Sequence, residues 1–256
     1  MKAIILSAGQ GRRLAPLTDS RPKCLIPLSG RPFLEWQLRN LAAAGIDQAV
    51  VVTGFGADQV EAALMTMQYG DIAVSTLHNP FYALADNLGS CWAARDELEG
   101  EVLILNGDTL FDSEIASRLV DLEPTAPITV TIDRKDVYDS DDMKVQVEGD
   151  RLVAIAKTLE PDKVDGESIG FLRLTEAGSA LFRDAVEKAM RRPEGLKQWY
   201  LSVIDQLAKT PDQVAVMSIE GLAWGEMDFP ADVKRNERIT AQWSRPGEFN
   251  RAAEAG

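Results

Sequence analysis

Short β-branched runs that alternate with helix-period segments constrain this chain more than any other feature of it. Residues 3–6, 48–53, 72–77 and 101–105 read as strands. Between them, 33–44, 58–67 and 88–98 repeat their apolar residues at helical spacing. In the first helix these are positions 33, 34, 38, 41 and 42, and Gly45 ends it. Strands that are apolar on both faces must be covered on both, so the pattern predicts a parallel sheet between helices, with right-handed crossovers. Ligands of such sheets gather at the carboxyl ends of the strands. After Asp108 the pattern changes. A strand at 128–132 is followed by 143–148 and 151–157, which flank Gly149-Asp150, a two-residue hairpin signal. A strand at 168–174, helices at 176–191 and 196–209, a strand at 214–219 and a helix at 231–243 complete the reading. The expectation is an α/β fold: a Rossmann-like mixed, mainly parallel sheet flanked by helices, with an antiparallel hairpin insertion. It makes one domain over 1–244, with halves at 1–125 and 126–244 and a loose tail at 245–256.

Composition removes several functions. With 27 Lys+Arg against 40 Asp+Glu the formal charge of the 256 residues is −13, and no basic run exceeds a pair. Nucleic-acid binding relies on clustered cations, so no nucleic-acid partner is expected and any anionic ligand must be held by a local site. Two cysteines and one histidine cannot build a disulfide framework, a zinc cluster or a histidine-based triad. The apolar run after Lys2 stops at Ser7, short of a signal peptide or a membrane span. A cytoplasmic location with no membrane partner is the expectation.

Directly after the first strand comes Leu6-Ser7-Ala8-Gly9-Gln10-Gly11-Arg12-Arg13-Leu14, then Pro16-Leu17-Thr18 and Pro22-Lys23. Glycines let backbone N–H groups approach phosphate oxygens, and cations neutralise the charge those dipoles cannot. The dinucleotide fingerprint fails because Leu14 stands where its third glycine belongs, and the Gly-Lys-Ser/Thr of a P-loop is missing.

Residues 8–23 resemble the opening motif of the nucleotidyltransferases that join a nucleoside monophosphate from NTP to a sugar 1-phosphate or a phosphorylated alcohol. The family pattern carries Thr or Ser in many members where Arg12 stands here. The resemblance implies that the first half binds nucleotide and the second half the acceptor. It places Leu6, Ala8, Gly9 and Gly11 around the nucleotide, with Arg13 and Lys23 holding phosphoryl groups as catalytic cations. It also implies Mg²⁺ on Asp108, in Asn106-Gly107-Asp108, and on Asp228, in Gly225-Glu226-Met227-Asp228. Taken without the resemblance, an aspartate in a turn after a strand serves as readily as a helix cap.

The run Asn79-Pro80-Phe81-Tyr82 to Asn87-Leu88-Gly89-Ser90 resembles the small cytidylyltransferases acting on phosphocholine, 2-aminoethylphosphonate or inositol phosphate, and adds Asn87 and Ser90 to the nucleotide site. The implied substrates are CTP and a small phosphonate or phospho-alcohol. A sugar-1-phosphate uridylyl- or thymidylyltransferase is the alternative, and a non-catalytic nucleotide-sensing subunit is the alternative of another class.

For the acceptor, a hairpin on Gly149-Asp150 would set Val147 opposite Leu152 and Val145 opposite Ala154. Lys144 and Lys157 then become diagonal neighbours on the polar face, an arrangement that calls for a bridging anion, the acceptor's phosphate or phosphonate, or else for salt bridges to Asp142 on a solvated face. The resemblance implies that Lys157 contacts both substrate phosphates. An ammonium on the acceptor would be met by carboxylates or aromatic faces, and Asp139, Asp141, Glu167, Trp199, Tyr200 and Trp224 are the candidates. With no cluster of aromatics in a short stretch, an aminoalkyl phosphonate fits better than phosphocholine.

Overall fold

The expected alternation is present, and the sheet it starts runs on through the second half of the chain. The computed structural model describes residues 1–243, so the expected tail at 245–256 lies outside the described residues. In chain order the elements are β1 (Lys2–Leu6), the short ribbon of β2 (Pro27–Leu28) and β3 (Arg31–Pro32), α1 (Phe33–Ala43), β4 (Gln48–Thr53), α2 (Ala57–Leu64) and β5 (Ala73–His78). There follow α3 (Asn87–Ala93), β6 (Val102–Asn106), β7 (Thr109–Phe111), α4 (Ser113–Asp121), β8 (Ile128–Asp133), β9 (Lys144–Glu148) and β10 (Arg151–Ala156). The chain continues through β11 (Gly166–Leu174), α5 (Glu176–Met190), α6 (Tyr200–Ala208), β12 (Val214–Ser218), β13 (Trp224–Glu226) and α7 (Pro230–Trp243). No described helix is long and apolar enough to cross a membrane.

Nine strands form one sheet in the order β5-β4-β1-β6-β11-β8-β12-β10-β9. The first four are mutually parallel, β11 runs against them, and β8 and β12 are again parallel to one another. Because β9 pairs with both β10 and β11, the second half closes into a circuit of strands, β11-β8-β12-β10-β9. Alternate side chains of β1 separate the two cores: Ala3 and Ile5 join Leu34, Leu38 and Ile115, whereas Ile4 and Leu6 join Leu88, Val186 and Ile204. Helices therefore cover both faces, as strands apolar on both sides require.

The hairpin differs from the expected register. Arg151 faces Glu148 and Leu152 faces Val147 as expected, but an irregularity before Ala154 sets Ala154 opposite Gln146 and Ile155 opposite Val145. The extra residue lets both Leu152 and Ile155 reach the core, a requirement that the simple two-residue period misses.

A third, small core matters for the site. Leu14 from the glycine-rich segment, Ile26, Leu28, Phe33, Trp36, Leu110 and Met227 pack together, with Val233, Ile239 and Trp243 of α7 against them. Leu14 and Met227 are wholly buried, each contributing about 1.5–3 kcal/mol by burial. This core fastens the opening loop to the residue beside Asp228.

One crossing has no room to spare. Gly170, in an irregular stretch of β11, has φ +70°, and a Cβ there would lie 2.1 Å from the Asn106 amide at the end of β6. Left-handed backbone costs a side chain roughly 1–2 kcal/mol before any clash. Gly170→Ala is expected to lose about 2–4 kcal/mol of unfolding free energy, read as a lower urea midpoint.

Candidate active site

The carboxyl ends of β1 and β6 meet at a contact that only glycine permits. A Cβ on Gly107 would stand 2.5 Å from the Leu6 carbonyl oxygen and 2.6 Å from Ser7 Oγ. At Gly9, by contrast, a Cβ would meet no protein atom within 4 Å, so packing does not demand this glycine and its backbone faces open space. Gly11 is left-handed at φ +72°, and a Cβ would press on the Lys23 side chain at 2.9 Å. Its carbonyl accepts from Thr18 Oγ1 at 2.8 Å.

Asp108 and Asp228 arrive from distant parts of the chain and are brought together by a small ribbon. β13 pairs with β7, with Glu226 opposite Thr109, and Met227 N donates to the Asp108 carbonyl at 3.0 Å. Behind this turn the buried Gln37 of α1 donates to the carbonyls of Asn106 and Thr109, both at 2.9 Å, and so clamps the turn that carries Asp108. Asp232 accepts from the backbone N–H groups of Asp228 and Phe229 at 3.0 and 2.7 Å, and Asn236 donates to the Glu226 carbonyl at 2.9 Å. These three positioning residues were not foreseen; a glutamine at position 37, spaced four residues from Phe33 and Leu41 on the apolar face of α1, is the one sequence signal that could have found any of them.

Six side chains of alternating charge run across the site. Lys23 Nζ donates to Asp108 Oδ2 at 2.6 Å and to Asp228 Oδ1 at 3.2 Å. Asp228 Oδ2 also accepts from Arg13 at 2.8 Å, and Arg13 reaches Asp141 Oδ2 at 2.5 Å. Asp141 Oδ1 accepts from Lys157 Nζ at 2.8 Å, and that ammonium lies 4.6 Å from the centre of the half-exposed Trp199 ring. Burial opposes the Lys23 charge, but Asp108 and Asp228 outweigh it and hold its pKa above the ordinary lysine value. The Lys157 hydrogen bond holds Asp141 below the usual carboxylate range.

Two cavities adjoin this chain of charges. The first, about 600 Å³, is lined by Leu6, Ala8, Gly9, Gly11, Lys23, Asn87, Ser90 and Asp108, and by the unforeseen Arg12, Tyr82 and Lys197. Asn87 Oδ1 accepts from Tyr200 N at 3.0 Å, while Ser90 Oγ holds the amide of Asn79 at 3.1 Å. The second, about 430 Å³, is lined by Asp133, Asp139, Asp141, Asp142, Glu167, Glu226, Asp228 and Asp232, with Lys135, Arg235, Trp224 and Phe229. Trp224 Nε1 donates to Asp133 at 2.7 Å. Lys135 lies between Asp142 and Glu167 at 2.7 and 2.8 Å.

Two expected acceptor residues are placed elsewhere. Tyr200 is wholly buried in the core, edge-on to Phe182, and cannot touch a ligand. It begins α6, which starts there rather than at residue 196, and the apolar face of that helix takes it inward. Lys144 does not pair with Lys157 around a missing anion. Its ammonium is nearly buried and donates to the backbone carbonyls of Asp139, Asp142 and Lys157, so it braces the segment between β8 and β9.

Neither cysteine offers a nucleophile, since burial pushes the Cys24 thiol up to about 12 and raises that of Cys91 as well. Glu226 was not singled out from sequence. Burial, with Asp108 and Asp228 nearby, pushes its carboxyl up to about 8.

Solved nucleotidyltransferases share this fold. The inositol-1-phosphate CTP transferase from T. maritima superposes with a TM-score of 0.78 at 21% identity, over 93% of this chain and 94% of that one. The chain belongs to the MobA-like NTP transferase family, whose model matches residues 3–163. Among relatives, the CMP-5'-(3-aminopropyl)phosphonate synthase of Streptomyces rubellomurinus is 30% identical over all of this chain, which spans 41% of that protein's length. The choline-phosphate cytidylyltransferase of Streptococcus pneumoniae is 28% identical over 93% of this chain and 98% of its own. Proteins named as cytidylyltransferases are thus among the relatives of this family member.

Glu167 gives the site a pH signature. Burial pushes its carboxyl up to about 7, against the pull of Lys135 and with the charge of Asp142 adding to the rise. A pKa higher in the folded state than in the unfolded chain stabilises the fold below about 4.5, and that contribution is lost as pH rises through about 7. Glu167→Gln removes the ionisation, so its Tm relative to the parent should climb between pH 5 and pH 8. Thermal melts across that range provide the check.

Proposed function

We propose that this chain is a Mg²⁺-dependent cytidylyltransferase that moves CMP from CTP to a small aminoalkyl phosphonate or a similar phospho-alcohol, releasing pyrophosphate. The observation that carries the reading is the pairing of two cavities at one chain of charges, the first built on a glycine-rich phosphate loop and the second lined by carboxylates. An ammonium is what such an acidic pocket suits, and with Trp224 and Phe229 as its aromatics it favours a primary amine over trimethylammonium. The names of the relatives point the same way.

For the metal, the donor chemistry fits. Asp108 and Asp228 come from separate turns and already converge on one cation, the Lys23 ammonium, with oxygen donors that hard divalent ions prefer. Among the described residues no group of three such side chains forms a ready cage, so these two would hold the ion. When bound, Mg²⁺ would supply neutralisation of the triphosphate charge.

The chain's own groups do the positioning. An oxygen of the acceptor's phosphonate bonds to the α-phosphorus of CTP as the bond to the β-phosphate oxygen breaks, and pyrophosphate carries away the electron pair. That oxygen is already anionic near neutral pH, so no side chain need remove a proton. Lys23 takes the triphosphate, Lys157 the acceptor's phosphonate, and Arg13, paired with both Asp228 and Asp141, stands where the triphosphate and the phosphonate meet, so rate enhancement comes from orientation and charge neutralisation. Glu167, Asp139 and Trp224 face the amine.

Pyrophosphate release measured with CTP, UTP, dTTP, ATP and GTP against 2-aminoethylphosphonate, phosphocholine, inositol 1-phosphate and glucose 1-phosphate should be confined to CTP with the small phosphonate. Release from UTP or dTTP with glucose 1-phosphate would overturn the reading. Asp108→Asn should cut turnover at least 10³-fold with an unchanged circular dichroism spectrum, on the order of 4 kcal/mol of transition-state stabilisation. Lys157→Ala should raise the acceptor's KM or lower kcat, and an unchanged kinetic profile would remove Lys157 from the site.

A further inference from the structure

Asp141 behaves unlike its neighbours in the second cavity. Asp142 accepts from Lys135 and from the backbone N–H of Asp139, and Asp139 accepts from the backbone N–H of Asp141, so both serve the segment between β8 and β9. Asp141 instead reaches away from that segment and gives each carboxylate oxygen to a different cation, Arg13 at 2.5 Å and Lys157 at 2.8 Å. These cations come from opposite ends of the site, one from the loop after β1 and the other just past β10. Without an anion between them they would repel.

The bridge is strong in geometry and weak in energy. Side chains of Arg13 and Asp141 are 48% and 47% exposed, and that of Lys157 is 27% exposed. Ion pairs with this much water contribute about 1 kcal/mol or less each, so Asp141 can leave. A tetrahedral phosphonate or phosphate offers the same cations two oxygens of similar spacing and a higher charge, and charge-assisted hydrogen bonds to it are stronger.

We propose that Asp141 is a built-in stand-in for the acceptor's phosphonate or phosphate group, gathering Arg13 and Lys157 beside the second cavity, which Asp141 itself lines, and yielding both when that group arrives. The assignment rests on the acceptor reading above and gives Asp141 a role different from the ammonium contact expected from sequence. The carboxylate keeps the cations assembled in the free enzyme, at the cost of competing with the acceptor. Affinity for an anion is then reduced by the fraction of time the bridge is open, and a bridge closed for roughly 70–90% of the time weakens binding about threefold to tenfold.

Titration calorimetry of inorganic phosphate and methylphosphonate tests this without turnover. Asp141→Asn should tighten the Kd of both anions about threefold to tenfold, and Asp141→Ser should do the same with a smaller side chain. Asp136→Asn, an equal change of charge on the same exposed segment, should leave the Kd within twofold. Adding Lys157→Met to Asp141→Asn should abolish the gain. Weaker anion binding in Asp141→Asn would make the residue a structural brace. Unchanged anion binding, with KM raised for 2-aminoethylphosphonate but not for ethylphosphonate, would make it an ammonium ligand. Either result, or no measurable anion binding in any of these proteins, overturns the proposal. A gain in anion affinity in an enzyme that turns over only sugar phosphates would instead remove the acceptor reading and leave the stand-in intact.

Discussion

The ammonium of Lys23 between Asp108 and Asp228 is the contact on which the arrangement of the site depends. Two carboxylates from turns 120 residues apart would repel at this separation, and a nearly buried cation between them removes that penalty. Its stem also lies against Gly11, so the phosphate loop, the β6 turn and the approach to α7 are tied at one point. Beneath it the small core of Leu14, Trp36, Leu110 and Met227 supplies the apolar burial that holds these three segments together.

From that point the alternation of charge extends outward through Arg13 and Asp141 to Lys157. A chain whose formal charge is −13 would repel a triphosphate at long range. On the proposed reading, attraction would therefore be local, from backbone dipoles of the glycine loop and from cations held by internal carboxylates. On that same reading each substrate charge would exchange with an internal partner. Binding then costs less in repulsion among like side chains than it would if the cations stood without partners in the free enzyme.

Much of this was legible in the chain itself. The alternation of strands and helices, the glycine-rich loop and the turn that carries Asp108 after β6 follow from local sequence, because each depends on periodicity or on turn chemistry within a few residues, whereas the short strands β7 and β13 that bring Asp228 to it were not read. The hairpin register was not legible, since it is decided by the demand that Leu152 and Ile155 both fill the core. Lys144 misleads for a similar reason: a lysine on a polar strand face reads as a ligand group until the backbone carbonyls of a neighbouring segment fold over it. Trp199 and Tyr200 stand side by side in sequence, yet one is half exposed beneath Lys157 and the other is sealed in the core.

By itself, then, the sequence determined the layered fold, the glycine-rich loop and the identity of the charged residues, because short-range periodicity and glycine conformational freedom act within a single segment. Only the tertiary structure decided which charges neutralise which. The pairing of β7 with β13 brings Asp228 to Asp108, Gln37 fixes the turn that carries Asp108, and the segment before β9 delivers Asp141 to Arg13 and Lys157. Ion pairs between segments more than a hundred residues apart leave no periodic trace in a chain, since their partners are selected by the packing of the elements that carry them.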